Sequence, residues 1–148
     1  LTVNYEVSDW DATMNVNLRG NFIITKAVLP LMMQEGWGRI IHVSSRGGVA
    51  GDIGTVSYSA SKSALMGMSA VLAKEYAKFN ITSNVLVLGT FDTGMFNKLP
   101  DRQKNKILDK IPSKKYGSIS DVFNAINFII KSDYVTSSVI NVDGGIGE

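Results

Sequence analysis

The sequence contains no cysteine and a single histidine. The absence of cysteine excludes disulfide scaffolds, thiolate metal sites and thiol catalysis, and one histidine cannot form a histidine metal site. No apolar run reaches the length of about 18 residues that a membrane-spanning helix requires. No basic-then-apolar leader opens the chain, so the sequence predicts a protein of the reducing cytosol.

Neither sign of charge dominates the sequence. Fifteen Lys and Arg residues against 13 Asp and Glu residues give a formal net charge of +2. So small a balance does not indicate a nucleic-acid or membrane-surface binder. Hydrophobic residues make up 45% of the 148 residues, which predicts one globular domain, residues 1–148, with a packed core.

Helical and strand-like segments alternate along the chain. Apolar side chains recur at steps of three and four from a cap at Ser8 to Gly36, which predicts a long helix. Further helices are predicted at 58–78, at 101–110 and from a cap at Ser120–Asp121 to 130. Short runs rich in β-branched residues predict buried parallel strands at 39–44, 81–88 and 139–142. Residues 45–57, rich in glycine, are predicted to form a loop.

This alternation predicts the α/β class, a doubly wound parallel sheet with helices on both faces. Only three strands are found, so one edge of the sheet would lack a neighbour. The chain is therefore expected to be the later part of a larger doubly wound domain.

A set of polar residues converges on one edge of this predicted sheet. Tyr58 and Lys62 are four apart and share a helix face, although alone they fit a boundary tyrosine and a solvated lysine. Ser45 follows a predicted strand, thirteen positions before Tyr58, where parallel sheets bind ligands. Asn17 lies inside a predicted helix, where asparagine is unfavourable unless it has a role; the alternative is a solvent-facing side chain.

Four motifs in this order resemble those of the short-chain dehydrogenase/reductase family, and together they cover nearly the whole chain. They are Trp10-Asp11 with Val16-Asn17-Leu18, Gly38–Ser45, Tyr58-Ser59-Ala60-Ser61-Lys62, and Asn141-Val142-Asp143-Gly144-Gly145. The resemblance implies a Rossmann-like fold. It also implies hydride transfer between a nicotinamide cofactor, NADP or NAD, and a carbonyl/alcohol substrate. Among family members the chain is most similar to the 3-oxoacyl-carrier-protein reductases and related alcohol or sugar dehydrogenases.

The resemblance also implies a role for each candidate. Tyr58 would be the general acid in reduction and the base in oxidation. Lys62 would favour the phenolate and bind the cofactor ribose. Ser45 would hold the substrate oxygen, and Asn17 would anchor a water that relays protons to Lys62.

The loop after the second strand is expected to contribute to the cofactor site. By resemblance, Gly89, the backbone of Phe91 and Thr93 would hold the nicotinamide carboxamide. Leu88-Gly89 stands where the family usually has Pro-Gly. The alternative is that Thr93 is an ordinary turn residue.

The sequence lacks the family's glycine-rich phosphate-binding turn and its Asn-Asn-Ala-Gly motif. The chain is therefore expected to be the C-terminal catalytic portion, without the N-terminal dinucleotide-binding half that decides between NAD and NADP. Alone, these 148 residues are predicted to bind cofactor poorly and to be inactive. The competing hypothesis is a truncated or non-catalytic oligomerisation subunit.

One segment departs from the even charge balance. Residues 98–115 contain seven cations and two acids, which fits either a solvated face on a mobile lid or a docking surface for an acidic partner. By resemblance this is the substrate loop, and the substrate is either a free small molecule or bound to a carrier protein. The two long helices would pack against their copies in a homodimer or homotetramer.

Overall fold

The structure is a computed structural model and describes residues 1–94 and 96–146. Its α-helices are α1 (Val7–Met14), α2 (Gly20–Glu35), α3 (Arg46–Ala50), α4 (Val56–Tyr76), α5 (Asp101–Lys110) and α6 (Ile119–Lys131). Its strands are β1 (Gly38–Ser45), β2 (Ile81–Leu88) and β3 (Val139–Val142). A π-helical segment, Asn15–Arg19, joins α1 to α2, and short 3-10 turns lie at Thr2–Asn4, Ala77–Phe79 and Phe96–Lys98.

The three strands form one parallel sheet in the order β1-β2-β3. Ser44 of β1 donates a hydrogen bond to α4, whereas Arg39 of the same strand donates to the main chain of α6. Because side chains alternate across a strand, these two contacts place α4 and α6 on opposite faces of the sheet. The predicted α/β class with a parallel sheet is confirmed.

The core lies between the sheet and the helices α2 and α4. Its central cluster joins Leu29 of α2 to Ile40 of β1 and Ile81 of β2. Partly buried side chains surround this cluster: Met32, Leu72, Tyr76 and Phe79. Strand β2 is central and is buried from Ile81 to Val87, as expected for a parallel strand covered on both faces. No helix among the described residues is both long and apolar enough to cross a bilayer.

The predicted bounds of strands 81–88 and 139–142 and of helix 101–110 agree with the structure. The predicted cap at Ser8 is wrong. The first helix begins at Val7, after Glu6 in an extended conformation, and no side chain caps it. Ser8 therefore lies two residues beyond the cap position, which Glu6 occupies.

The start of the last helix also differs from the prediction. Ser118, rather than Ser120, is its cap: the Ser118 hydroxyl accepts from the Asp121 N–H at 3.3 Å. The Asp121 carboxylate accepts in return from the Ser118 N–H at 2.8 Å. A reciprocal pair of this kind requires a spacing of three residues, which Ser120 and Asp121 do not have. The pKa of Asp121 is lowered chiefly by the Ser118 hydroxyl, which donates to Asp121 Oδ2 at 2.7 Å, and also by the Ser118 N–H, because both hydrogen bonds favour the carboxylate.

The outer edge of β1 has no strand partner among the described residues. The Gly38 N–H donates toward β2, to the Asn80 carbonyl at 3.2 Å. Successive residues of a parallel strand direct their main-chain groups to alternate sides. The carbonyl of Val43 therefore lies on the unpaired edge, a position that bears on the candidate site.

His42 is a buried titratable group whose protonation is expected to couple to folding. Its side chain on β1 is 2% exposed, and its Nε2 atom has no hydrogen-bond partner among the described residues. Burial lowers the pKa of His42 because the charged imidazolium is poorly solvated there. The unfolded chain, with an ordinary histidine pKa of about 6.5, then binds a proton more readily than the folded chain.

Above a pH of about 6.5, we expect the contribution of His42 to the free energy of unfolding not to vary with pH. Below that pH, the free energy of unfolding should fall by up to about 1.4 kcal/mol per pH unit until the pH reaches the folded-state pKa of His42. Urea unfolding at several pH values measures this slope, and His42→Phe, which cannot titrate, should reduce it. Equal slopes in both proteins would contradict the assignment.

Candidate functional site

Three of the predicted site residues line one cavity at the carboxyl edge of the sheet. Ser45 ends β1, Tyr58 lies in the first turn of α4, and Gly89 follows β2; all three line a cavity of about 410 Å³. A Cβ placed on Gly47 would lie 3.8 Å from Tyr58 Cε1 and 3.9 Å from Ser45 Oγ. The phenol and the hydroxyl thus flank the same short stretch of backbone.

Lys62 lies one helical turn beyond Tyr58, as the spacing predicts. Its Nζ is 5.9 Å from the centroid of the Tyr58 ring. The same ammonium donates a hydrogen bond of 3.0 Å to the Val43 carbonyl on the unpaired edge of β1. The structure therefore brings the cation beside the aromatic ring and anchors it to the edge of the sheet.

Asn17 is tied to the helix that carries Tyr58. Its Nδ2 donates to Ser61 Oγ at 3.1 Å, and Ser61 Oγ donates to the Tyr58 carbonyl at 2.7 Å. The alternative of a solvent-facing Asn17 side chain is wrong. Asn17 lies in the π-helical segment, a geometry often found at functional sites. Its own carbonyl accepts from Asn21 Nδ2 at 2.7 Å.

Residues of the predicted cofactor loop lie at two different cavities. The Gly89 N–H donates to the Val142 carbonyl at 3.0 Å, which holds Gly89 at the cavity beside Tyr58. Phe91 pairs through its main chain with Gly117, and its carbonyl accepts from the Thr93 N–H at 2.8 Å. Thr93 lines a different cavity, next to Gly117. The cofactor roles of Gly89, Phe91 and Thr93 stay predictions.

The sequence of the chain is similar to those of known proteins. The family model described as enoyl-(acyl carrier protein) reductase matches residues 2–147. The chain belongs to the short-chain dehydrogenase/reductase family. The resemblance predicted from the four sequence motifs is thereby confirmed, and the match extends over almost the whole chain.

Individual members of this family show how much of a relative the chain covers. The chain is 40% identical over 148 residues to a 3-oxoacyl-[acyl-carrier-protein] reductase of Thermotoga maritima, covering 99% of this chain and 60% of the relative. Proteins of the same name from Rickettsia felis and Aquifex aeolicus are 37% and 36% identical, with 99% of this chain and 61% and 60% of each relative covered. The chain therefore spans about three fifths of the length of these short-chain reductases.

The structure adds lining residues that the sequence reasoning did not identify. Ile107 and Lys110 of α5 line the cavity together with Asp52 from the loop before α4. Residues 101–110 are correctly predicted as a helix, but a helix prediction does not specify which cavity its flank faces. Ser61, which links Asn17 to Tyr58, was also missed, because a serine between two motif residues carries no signal of its own.

A close approach between α3 and α4 positions part of the candidate site. The predicted loop 45–57 in fact contains α3, and Gly48 of α3 is buried against α4. A Cβ on Gly48 would collide with Lys62 Cβ and lie 3.3 Å from Ser44 Oγ. The Gly48 carbonyl also accepts a hydrogen bond from Ser63 Oγ. Glycine at position 48 is therefore what lets α3 pack on the turn that carries Lys62.

Gly48→Ala should lower the free energy of unfolding by about 1–3 kcal/mol, since the added methyl overpacks a buried contact. Gly67→Ala is the matched control, because Gly67 also lies in a helix and a Cβ there meets nothing within 4 Å. That variant should be neutral or more stable, since alanine favours the helix. Urea unfolding compares the two, and equal stabilities would show that Gly48 is not required by packing.

Proposed function

We propose that this member of the short-chain family reduces the ketone of a 3-oxoacyl thioester to the hydroxyl with NADPH or NADH. The observation that carries the proposal is the single cavity lined by the Ser45 hydroxyl and the Tyr58 phenol. Two hydroxyl donors suit a substrate oxygen that gains negative charge as it is reduced. The relatives are named as reductases of 3-oxoacyl-[acyl-carrier-protein], which supports the same substrate class.

Ser45 and Tyr58 have different roles toward the substrate oxygen. Ser45 donates a hydrogen bond that orients the carbonyl, and Tyr58 transfers its phenolic proton to the oxygen as the alcohol forms. Lys62, with its ammonium 5.9 Å from the centroid of the Tyr58 ring, stabilises the phenolate that remains. Asn17 acts through Ser61, which holds the first turn of α4 and therefore the position of Tyr58.

The cavity fits the nicotinamide end of the cofactor. Its volume of about 410 Å³ lies within the range of small-molecule sites, about 300–1,000 Å³. Gly89 and Thr90, which follow β2, line its wall, and free main-chain groups there would suit an amide such as the nicotinamide carboxamide. The bound cofactor supplies the hydride. By resemblance, Gly89 would hold the carboxamide at this cavity and Lys62 the ribose. Phe91 and Thr93 would contribute from the loop that follows, where Thr93 lines a different cavity.

The phosphate end of the cofactor needs a segment that this sequence does not contain. We infer that the chain is the catalytic portion of the domain and that a glycine-rich segment holds the pyrophosphate. The chain joined to the part of the Thermotoga maritima relative that it does not cover is called the completed chain.

A helix-mediated homo-oligomer is part of the proposal. Ile24 and Leu31 of α2 and Val71 of α4 are 67%, 64% and 54% exposed. Apolar side chains at this level on two long helices indicate a surface that a second copy can cover. Light scattering coupled to size exclusion measures the mass, and a monomeric completed chain would contradict this part of the proposal.

The decisive assay follows NADPH absorbance with the completed chain and an acetoacetyl thioester of N-acetylcysteamine. Consumption of NADPH with this substrate supports the proposal. Consumption only with the matching crotonyl thioester would instead favour an enoyl reductase, the activity in the description of the matched family model. No turnover with either substrate would favour the non-catalytic oligomerisation subunit.

A further inference from the structure

A row of cations lies on the outside of α5. Arg102, Lys106 and Lys110 are spaced by four residues and share one side of the helix. All three are exposed, as are Lys114 and Lys115 just after the helix. Together these five residues are called the basic surface. At the rise of an α-helix, the row from Arg102 to Lys110 is about 12 Å long.

The opposite side of α5 is anchored, so the basic surface has a defined orientation. Ile107 faces the candidate active-site cavity, and Ile111, just after the helix, is fully buried. The Lys104 carbonyl accepts a hydrogen bond from Tyr116 Oη at 2.9 Å. The Lys104 ammonium lies 5.8 Å from the centroid of the Phe96 ring. These contacts direct Arg102 and Lys106 toward solvent.

The basic surface ends at the cavity and is not neutralised. Lys110 lines the cavity that Ser45 and Tyr58 also line. Within the part of the chain that the structure describes, no ion pair involves Arg102, Lys106 or Lys110. Residues 98–115 carry +5, whereas the remainder of the chain carries 2 − 5 = −3. The positive charge is thus concentrated beside the cavity mouth.

We propose that the basic surface docks an acidic carrier protein that presents its acyl thioester to the cavity past Lys110. The inference rests on the proposed reduction of a 3-oxoacyl thioester and adds where the carrier binds. A row of unpaired cations attracts and orients an acidic protein surface. A nucleic acid is the less favourable partner, because the rest of the chain is negatively charged and would repel a long polyanion.

The test measures docking without any chemistry. A bacterial acyl carrier protein in its apo form, labelled with fluorescein, is titrated with the 148-residue chain and followed by fluorescence anisotropy. The triple variant Arg102→Gln, Lys106→Gln, Lys110→Gln should weaken binding by about tenfold or more. The control variant Lys26→Gln, Lys74→Gln, Lys78→Gln removes the same charge from exposed positions elsewhere. It should weaken binding by less than about twofold.

Circular dichroism on both triple variants shows whether either has lost the fold, and the single variant Lys106→Gln provides a milder test of the same surface. Equal losses in the two triple variants, no loss in either, or equally tight binding of a DNA duplex would each overturn the docking surface. The apo carrier has no acyl group, so its binding does not depend on turnover. Docking without reduction of the small thioester overturns the proposed activity alone, and reduction without docking overturns this inference alone.

Discussion

Tyr58→Phe is expected to lower kcat of the completed chain at least about 100-fold in the reduction of the acetoacetyl thioester. The variant keeps the ring that lines the cavity but removes the phenolic proton, so the substrate oxygen has no proton donor at that position. KM should change much less than kcat, because Ser45 and the cavity wall remain. Steady-state kinetics with varied thioester at saturating NADPH separates the two constants.

Tyr134→Phe is the matched control for that variant. Tyr134 is fully exposed, at 101% of its reference accessibility, and removing its hydroxyl should leave both constants unchanged. Cofactor affinity measured by fluorescence titration verifies that Tyr58→Phe still binds NADPH. Kinetics of Tyr58→Phe that match those of the parent would remove Tyr58 from the catalytic role.

The second large effect concerns the cofactor. The 148-residue chain alone is expected to bind NADPH at least about 100-fold more weakly than the completed chain. A glycine-rich turn and the helix that follows it place several N–H donors on the pyrophosphate. Losing two such charge-assisted hydrogen bonds costs about 3–6 kcal/mol. This corresponds to about a 150-fold to 20,000-fold loss in affinity.

Isothermal titration calorimetry on both proteins measures this difference directly. A completed chain with the glycines of its phosphate turn replaced by valine is the control, since it has the same length but a blocked turn. It should bind NADPH as weakly as the short chain. Tight binding by the short chain would show that the described residues hold the phosphates themselves, and the proposed division of the cofactor site would then be wrong.

Much of the local architecture could be predicted because it depends on neighbouring residues. The strand at 81–88 was predicted to the residue, since a short run rich in β-branched residues and bounded by turn residues indicates a strand. Helix 101–110 was also predicted, although it is polar on most of its surface. Helix ends were less accurate where several residues could cap, as at Ser118 and Ser120, because the reciprocal partner determines the cap.

The candidate site also combines features that neighbouring residues determine with features that depend on the tertiary structure. The spacing of Tyr58 and Lys62 places them on one helix face whatever surrounds the helix. That Ser45 meets Tyr58 could be argued from the sheet edge alone. The Asn17–Ser61 hydrogen bond, by contrast, spans 44 residues and depends on how α4 packs against the π-helical segment.

By itself, then, the sequence determined which residues could do chemistry and on which elements they lie, because helical and strand periodicities are properties of neighbouring residues. Tertiary structure decided which of those elements converge. Gly48 lets α3 pack on the turn that carries Lys62, and α5 packs with Ile107 and Lys110 at the cavity that contains Tyr58. The physical reason is that close packing depends on the shapes of two surfaces at once, and those surfaces come from segments far apart in the chain.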